Sequence, residues 1–188
     1  LNTKEARKKM KLAQSKTTLL VVGGSLGSKR MNELMADHGN RITQMGVQIV
    51  WQCGSLYTKE FLPLQKNNIH VTPFIDDMTT AYAAADVIIS RAGALAVSEL
   101  CQVGKAVLFI PSPNVAENHQ YKNAMAIANE AAAVVIEEKE LEHRFQSEID
   151  ALLTDVEWRA KLGKNIKKLA KPNATKSIVE QINALVND

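Results

Sequence analysis

The chain has 188 residues, of which 46% are hydrophobic and 23% are charged, and its formal net charge is +3 at pH 7. This composition is ordinary for a globular protein with a hydrophobic core, and the length suits one large domain or two small ones. It argues against a membrane-spanning helix, because no apolar run approaches the roughly 20 residues that cross a bilayer.

The N-terminal segment, residues 1–16, is polar and basic, unlike a signal peptide. Because the chain starts with Leu1 rather than Met, we expect it to be a piece of a longer protein. Basic residues concentrate at 4–11 and 161–171, where the pattern favours solvated helix faces; the alternative is attraction to an anionic membrane surface or a nucleotide. Aromatic residues are not interleaved with these charges, so we expect no nucleic-acid partner.

Short runs rich in Val and Ile alternate with helical patterns along the chain. Most of these runs lack polar alternation, which is typical of strands buried on both faces of a parallel sheet. The alternation predicts an α/β fold with a doubly wound parallel sheet. The predicted strands are 17–23, 47–53, 69–73, 86–90, 106–111 and 132–137, and the predicted helices are 29–44, 56–66, 78–85, 94–103, 118–130, 138–153, 155–169 and 174–187.

Two cysteines, Cys53 and Cys101, lie inside apolar segments. This placement predicts two buried thiols in a reducing cytosol. No Cys/His cluster has the spacing of metal ligands.

Ligands of a doubly wound sheet bind beyond the carboxyl ends of the strands, so the loops there carry the expected chemistry. The first such loop reads Gly23-Gly24-Ser25-Leu26-Gly27-Ser28. Glycines let backbone amides approach an anion, the next helix directs its positive end there, and serines add hydroxyl donors. A phosphate site and a plain strand-to-helix turn both fit this pattern.

Two sharper phosphate motifs do not fit the first loop. The spacing of Gly23 and Gly27 is wrong for a P-loop, and Val22 stands where the dinucleotide fingerprint needs its first glycine. The second strand also ends without an acidic residue that would hold a ribose. We therefore expect no nicotinamide or flavin cofactor.

The loop and helix after the fourth strand combine small residues with one carboxylate. Ala92, Gly93, Ala94 and Ala96 leave room for a flat ligand against the backbone. The pattern places Glu99 early in a helix, where the dipole favours a carboxylate that can accept hydrogen bonds from both ribose hydroxyls. An ordinary exposed helix residue is the alternative for this position.

The loop after the fifth strand ends in Glu117, Asn118, His119 and Gln120. The amides can bond sugar hydroxyls as donor and acceptor. His119 suits binding or capping better than acid–base chemistry, since no carboxylate or nucleophile is visibly paired with it.

Four segments then occur in order: GGSLGS at 23–28, FIDDM at 74–78, SRAGALAVSEL at 90–100 and ENHQYKNA at 117–124. From Thr17 to the C-terminus, the chain resembles the C-terminal half of the MurG family, glycosyltransferases that make lipid II in peptidoglycan synthesis. The resemblance implies one Rossmann-like half of the two-domain arrangement called GT-B. It implies that 17–188 binds the donor UDP-N-acetylglucosamine and that 1–16 is a remnant of the inter-domain connection.

The resemblance also implies roles for individual residues. Ser25 would contact the diphosphate, the backbone of Ile75 the uracil, and Gln120 the sugar, with His119 beside it. The residues implied to line the nucleoside are Ala94, Leu95, Ala96, Val97, Ser98 and Glu99, with Glu99 on the ribose; Gly24 and Gly27 are further candidates. The family stretch often reads G-A-L-T-V-S-E, so Ala96 stands in place of a threonine and one hydroxyl contact is lost.

The implied activity is inverting transfer of N-acetylglucosamine to lipid I on the cytoplasmic face of a bacterial plasma membrane. The acceptor-binding half and its catalytic residues lie outside this sequence, so we expect weak donor binding and little or no turnover. Asp76 and Asp77 precede a helix like caps rather than metal ligands, which predicts no metal requirement and no cofactor. The last helix, 174–187, would pack toward the N-terminal domain.

Two other functions remain open. One is a different enzyme on the same architecture, another UDP-sugar transferase or a UDP-N-acetylglucosamine 2-epimerase; the epimerase needs additional carboxylates near the sugar, for which only Glu117 is a candidate. The other is a non-catalytic donor-binding subunit that works with a separate acceptor-binding partner.

Overall fold

The computed structural model describes residues 2–187, in which strands and helices alternate as far as residue 135 and three helices then follow. The strands are β1 (Thr18–Val22), β2 (Gln48–Gln52), β3 (Ile69–Thr72), β4 (Val87–Ser90), β5 (Ala106–Phe109) and β6 (Val134–Val135). The helices are α1 (Thr3–Lys9), α2 (Lys29–Gln44), α3 (Thr58–Phe61), α4 (Met78–Ala84), α5 (Ala94–Val103), α6 (His119–Ala128), α7 (Leu141–Thr154), α8 (Val156–Lys168) and α9 (Ala174–Asn187).

The six strands form one sheet in the order β3-β2-β1-β4-β5-β6, and every neighbouring pair is parallel. The doubly wound parallel sheet predicted from the sequence is therefore confirmed. The strand order reverses between β1 and β4, where Val22 lies beside Ser90. This is the switch point at which open α/β sheets leave a crevice for a ligand.

The core consists of two apolar clusters, one on each face of the sheet. Along β1, Leu19 and Val21 belong to one cluster and Leu20 and Val22 to the other. Helices α2 and α7 contribute to the first cluster, and α4, α5 and α6 contribute to the second. Burial on both faces explains why the strands read as apolar runs without polar alternation.

Three predicted elements differ from the structure. The predicted helix 56–66 is wrong, because α3 covers only four residues between two short 3₁₀ turns. Pro63 in the second turn has no N–H and stops a longer helix. The predicted strand 132–137 pairs only as β6, and the predicted helix 138–153 opens with a 3₁₀ turn at 138–140 before α7.

The N-terminal segment is packed onto the rest of the fold through α1, which lies against α4. Arg7 is buried, and its guanidinium donates to the carbonyl oxygens of Ala84 (3.1 Å) and Gln14 (2.8 Å). It also pairs with Asp86 at 2.5 Å. A buried, multiply bonded arginine fixes α1 as part of the packed domain.

Helix α9 presents its apolar side chains to solvent. Its exposed large hydrophobic residues are Ile178, Val179, Ile182, Leu185 and Val186. Among residues 2–187, no helix is both long enough and apolar enough to cross a bilayer.

Candidate functional site

A crevice of about 380 Å³ opens at the carboxyl edge of the sheet, at the switch point between β1 and β4. Ser25 from the first loop and Glu99 from α5 both line it, so the two residues face one space. Phe74 and Ile75 line it from the segment after β3, and Gln120 from α6. The other lining residues are Val22, Gly23, Gly24, Gln52, Met78, Tyr82, Ser90, Arg91, Gly93, Leu95 and Ala96.

Gln52, the last residue of β2, ties two walls of the crevice together. Its Nε2 donates to the carbonyl oxygen of Gly24 at 2.9 Å, and its Oε1 accepts from the N–H of Ile75 at 3.0 Å. The N–H of Ile75 is therefore committed within the protein. The carbonyl oxygen is the backbone group of Ile75 that is left for a base.

Gly27 and Ser28, the last two residues of the first loop, make contacts within the protein. Gly27 has φ +86°, and a Cβ there would overlap the carbonyl oxygen of Cys53. Ser28 caps α2, and its hydroxyl oxygen accepts from the N–H of Met31 (3.4 Å) and from Arg91 (2.6 Å). The oxygen of the Ser28 hydroxyl thus already accepts two hydrogen bonds, and Ser28 lines the polar cavity beside the crevice, whereas the exposed Ser25 lies in the crevice.

Helix α5 begins directly at the crevice. Its N-cap residue is Gly93, which has no side chain to satisfy the first N–H groups of the helix. Uncapped helix N-termini attract anions through these N–H groups and the helix dipole. The α5 terminus and the first loop therefore face a common space that suits a diphosphate.

Only part of the implied nucleoside segment faces this space. Leu95, Ala96 and Glu99 line the crevice. Val97 instead packs against the second core cluster, and Ala94 and Ser98 are exposed outside the crevice lining. The helical period explains this division, because Leu95 and Ala96 lie four and three positions before Glu99 and share its face, whereas Val97 and Ser98 lie two and one positions before it and turn away.

Glu99 has the same place in α5 as in the predicted helix 94–103. It is the sixth residue of α5, beyond the first turn, so the helix-dipole argument for its charge was wrong. A different contact holds it: the hydroxyl of Tyr82 donates to Glu99 Oε2 at 3.1 Å. Burial, and then the adjacent Glu99 charge, raise the pKa of Tyr82 well above its usual range.

The start of α6 is built from strained backbone. Glu117 and Asn118 both have φ near +52°, a left-handed conformation that is costly for non-glycine residues and concentrates at functional sites. His119 follows at the first position of α6, where its Nδ1 donates to the carbonyl oxygen of Ala116 at 2.9 Å. Gln120 Oε1 accepts from the N–H of Ser112 at 3.0 Å and of Ala92 at 3.3 Å. Ligand contact by Gln120 therefore falls to its Nε2 amide.

Glu117, the carboxylate considered for an epimerase, is exposed and outside the lining of the crevice. The charged residues that line the crevice are Glu99 and Arg91. Glu99 is thus the carboxylate of the crevice lining, and Glu33 and Glu138 line the polar cavity that adjoins it.

A second, more polar cavity of about 440 Å³ adjoins the crevice and shares Gly23, Arg91 and Gln120 with it. Arg91 crosses between the two. Its guanidinium donates to the carbonyl oxygen of Ile110 (2.9 Å) and to Ser28 Oγ (2.6 Å), and it pairs with Glu138 (2.5 Å). One side chain therefore connects the ends of four strands.

Sequence reasoning missed Arg91, Gln52 and Tyr82 as parts of the site. Each is a polar residue at or near the end of a buried strand or on a short helix, and its partner is distant in sequence. The half-exposed Phe74 was quoted within FIDDM but given no role. An aromatic residue directly before the implied uracil contact was the signal that could have identified it.

One residue of the acidic pair after β3, Asp77, caps helix α4. Asp77 Oδ1 accepts from the N–H of Thr80 at 2.9 Å, and Oδ2 bonds Lys9 Nζ at 2.6 Å. Hydrogen bonds from Lys9 and Thr80 hold the pKa of Asp77 well below its usual range. The predicted cap is confirmed for Asp77, and so is the predicted burial of both cysteines.

The sequence is similar to bacterial glycosyltransferases. It is 50% identical over 97% of its length to the UDP-N-acetylglucosamine–N-acetylmuramyl-(pentapeptide) pyrophosphoryl-undecaprenol N-acetylglucosamine transferase of Flavobacterium psychrophilum, and covers 50% of that protein. The enzyme of the same name from Christiangramia forsetii is 51% identical over 98% of the chain, again with 50% of the relative covered. The chain thus spans about half the length of these curated relatives.

The fold is similar to a solved MurG structure. The crystal structure of Acinetobacter baumannii MurG superposes with a TM-score of 0.80 at 31% identity, covering 95% of this chain and 53% of that one. The resemblance to the MurG family stated from the four motifs is confirmed. The family model described as glycosyltransferase family 28 C-terminal domain matches residues 18–182. The chain therefore belongs to the glycosyltransferase family 28 C-terminal domain family.

Proposed function

We propose that this chain is the donor-binding half of a bacterial transferase that moves N-acetylglucosamine from UDP-N-acetylglucosamine to lipid I, forming lipid II. The observation that carries the proposal is the convergence of Ser25 and Glu99 on one crevice at the switch point of the sheet. The half-length match to N-acetylglucosamine transferases supports the same assignment.

The crevice suits a uridine diphosphate in one orientation. The base lies at Phe74 and the carbonyl of Ile75, and the ribose hydroxyls donate to Glu99. The diphosphate lies between the first loop, at Ser25, and the uncapped N-terminus of α5. The sugar then extends toward Gln120 and the polar cavity beside it.

This placement supplies electrostatic stabilisation to the transfer. An acceptor hydroxyl attacks the anomeric carbon with inversion, and the bond to the β-phosphate oxygen breaks, so negative charge grows on the departing UDP. Backbone N–H groups of the first loop and of the first turn of α5 are fixed at that charge and need no reorganisation as it develops. The acceptor-side residues, the general base included, belong to the other half of the protein.

We infer that donor binding requires no metal ion. Neither Asp76 nor Asp77 is among the residues that line the crevice, and Asp77 is already bonded to Lys9 and Thr80 as a helix cap. The helix terminus and the loop amides supply the positive potential that a metal would otherwise provide.

The arrangement in the whole enzyme follows from the same proposal. The exposed apolar residues of α9 suit a contact with the N-terminal half, which would bind lipid I. The basic stretch at 161–171 suits an anionic membrane surface, consistent with a peripheral enzyme on the cytoplasmic face of the plasma membrane. We expect the 188-residue chain alone to make no lipid II; detectable synthesis would contradict the separate acceptor half.

Isothermal titration of the chain with UDP, UDP-N-acetylglucosamine and NADH tests the assignment. We expect both uridine nucleotides to bind, with EDTA present or absent, and NADH not to bind. Glu99→Ala should weaken UDP binding by about 1.5–3 kcal/mol, the range for hydrogen bonds to a charged group. Glu148→Ala is the matched control, because Glu148 pairs with Arg144 on α7 and does not line the crevice. If Glu99→Ala and Glu148→Ala weaken UDP binding equally, the ribose contact of Glu99 is contradicted. If UDP no longer binds in EDTA, the inference that donor binding requires no metal ion is contradicted.

A further inference from the structure

Glu99 occupies a position that does little to fix its carboxylate. It is exposed and lies beyond the first turn of α5. A glutamate has three rotatable side-chain bonds, and ordering it against a ligand costs conformational entropy. A contact that already orders the carboxylate before the nucleotide arrives would lower that cost.

Tyr82 provides such a contact from a different helix. Its hydroxyl donates to Glu99 Oε2 at 3.1 Å, and its ring packs against the second core cluster. Helix α4 is itself held at its N-terminus by the Asp77 cap and along its side by α1. The donor atom is therefore attached to a fixed part of the domain, whereas its acceptor is on a flexible side chain.

We propose that Tyr82 is a positioning residue, which orients the Glu99 carboxylate so that it accepts hydrogen bonds from the ribose diol of the donor nucleotide. The proposal rests on the proposed function, because it assumes that Glu99 bonds the ribose.

The hydrogen-bonding capacity of the carboxylate allows Glu99 to accept from Tyr82 and from the ribose at the same time. An ionised carboxylate offers about four acceptor positions, two on each oxygen. The phenol takes one on Oε2, which restrains the carboxylate and leaves Oε1 for the diol. Tyr82 also lines the crevice, so the bonded pair sits at the surface where a ribose would lie.

The phenol keeps its proton under ordinary conditions. Burial and the charge of Glu99 both raise the pKa of Tyr82, so the hydroxyl remains a donor throughout the neutral range. A tyrosine is therefore a constant hydrogen-bond donor at this position.

Titrations with UDP and with 2′,3′-dideoxyuridine diphosphate separate positioning from general structural support. Tyr82→Phe keeps the ring and its packing but removes the donor. We expect it to raise the Kd for UDP by about fivefold, the effect of one hydrogen bond of ordinary strength, and to leave the Kd for the dideoxy nucleotide unchanged. Combined with Glu99→Ala, which removes the acceptor of the Tyr82 hydroxyl, it should add no further loss. Tyr121→Phe, a substitution on α6 outside the crevice lining, should change neither Kd.

The outcomes distinguish failure of the positioning role of Tyr82 from failure of the proposed function. If the wild-type chain prefers UDP over the dideoxy nucleotide and Tyr82→Phe preserves that preference, or weakens both ligands equally, the positioning role is overturned while the proposed function stands. If the wild-type chain binds both nucleotides equally, ribose contact by Glu99 is overturned together with the role of Tyr82. If it binds neither, the proposed function fails as well.

Discussion

At the scale of single residues, the site depends on close backbone approach as much as on side-chain chemistry. Gly24 and Gly27 both have φ near +90°, which disfavours any residue with a Cβ. They differ in their surroundings: a Cβ on Gly24 would meet open space, whereas one on Gly27 would overlap Cys53 and Gly54. Gly27 thus packs the first loop against the loop after β2, and Gly24 leaves the loop open toward the crevice.

This difference makes the pair a matched test. We expect Gly24→Ala to lower the free energy of unfolding by about 1–2 kcal/mol, through left-handed backbone strain alone. Gly27→Ala should lower it by about 2–5 kcal/mol, because overpacking adds to the strain. Urea unfolding followed by tryptophan fluorescence measures both, since Trp51 is buried and its Nε1 donates to Asn32 Oδ1. If both variants lose the same free energy of unfolding, the loop relaxes around a Cβ at Gly27 and the predicted overpacking is contradicted.

At the scale of elements, loops from four strands are joined by one guanidinium. Arg91 follows β4 and bonds to Ser28 after β1, to Ile110 after β5 and to Glu138 after β6. Its side chain is only 15% exposed, so these bonds are little weakened by competition with water. The position of the first loop relative to α5 is therefore coupled to the far side of the sheet.

We expect Arg91→Met to lower the free energy of unfolding by about 1–3 kcal/mol, because it leaves Glu138 and Ser28 without this partner. It should also weaken UDP binding, since the walls of the crevice lose a common anchor. Arg144→Met is the control: Arg144 bonds two carboxylates, whereas Arg91 bonds one, but Arg144 is 40% exposed and its partners lie four residues away on either side. Exposed pairs of this kind contribute about 0–1 kcal/mol. Similar losses in the two variants would contradict the anchoring role.

Most strands and helices could be predicted from the sequence, because buried strands read as short apolar runs and helices show apolar residues at the helical spacing. The predicted helix 56–66 failed at Pro63, because the apolar pattern continues through a residue that cannot extend a helix. The local positions of Ser25 and Glu99 followed from motifs. The bonds of Gln52, Arg91 and Tyr82 could not be predicted, because each joins residues that only the sheet order brings together.

At the scale of the whole molecule, the strand order determines where a ligand can lie. Strands β1 and β4 are separated by most of the first half of the chain but adjoin in the sheet, and their following loops diverge to open the crevice. The chain spans about half the length of the curated relatives, and α9 exposes an apolar surface. On the proposed function, a complete transferase combines this donor site with an acceptor site on the other half.

Soaking crystals of the 188-residue chain with UDP tests the location of the donor site most directly. We expect the nucleotide in the crevice between the first loop and α5, with ribose oxygens within hydrogen-bonding distance of the Glu99 carboxylate and a phosphate at Ser25. An empty crevice with UDP bound elsewhere, or a nucleotide whose ribose lies away from Glu99, would contradict the assignment.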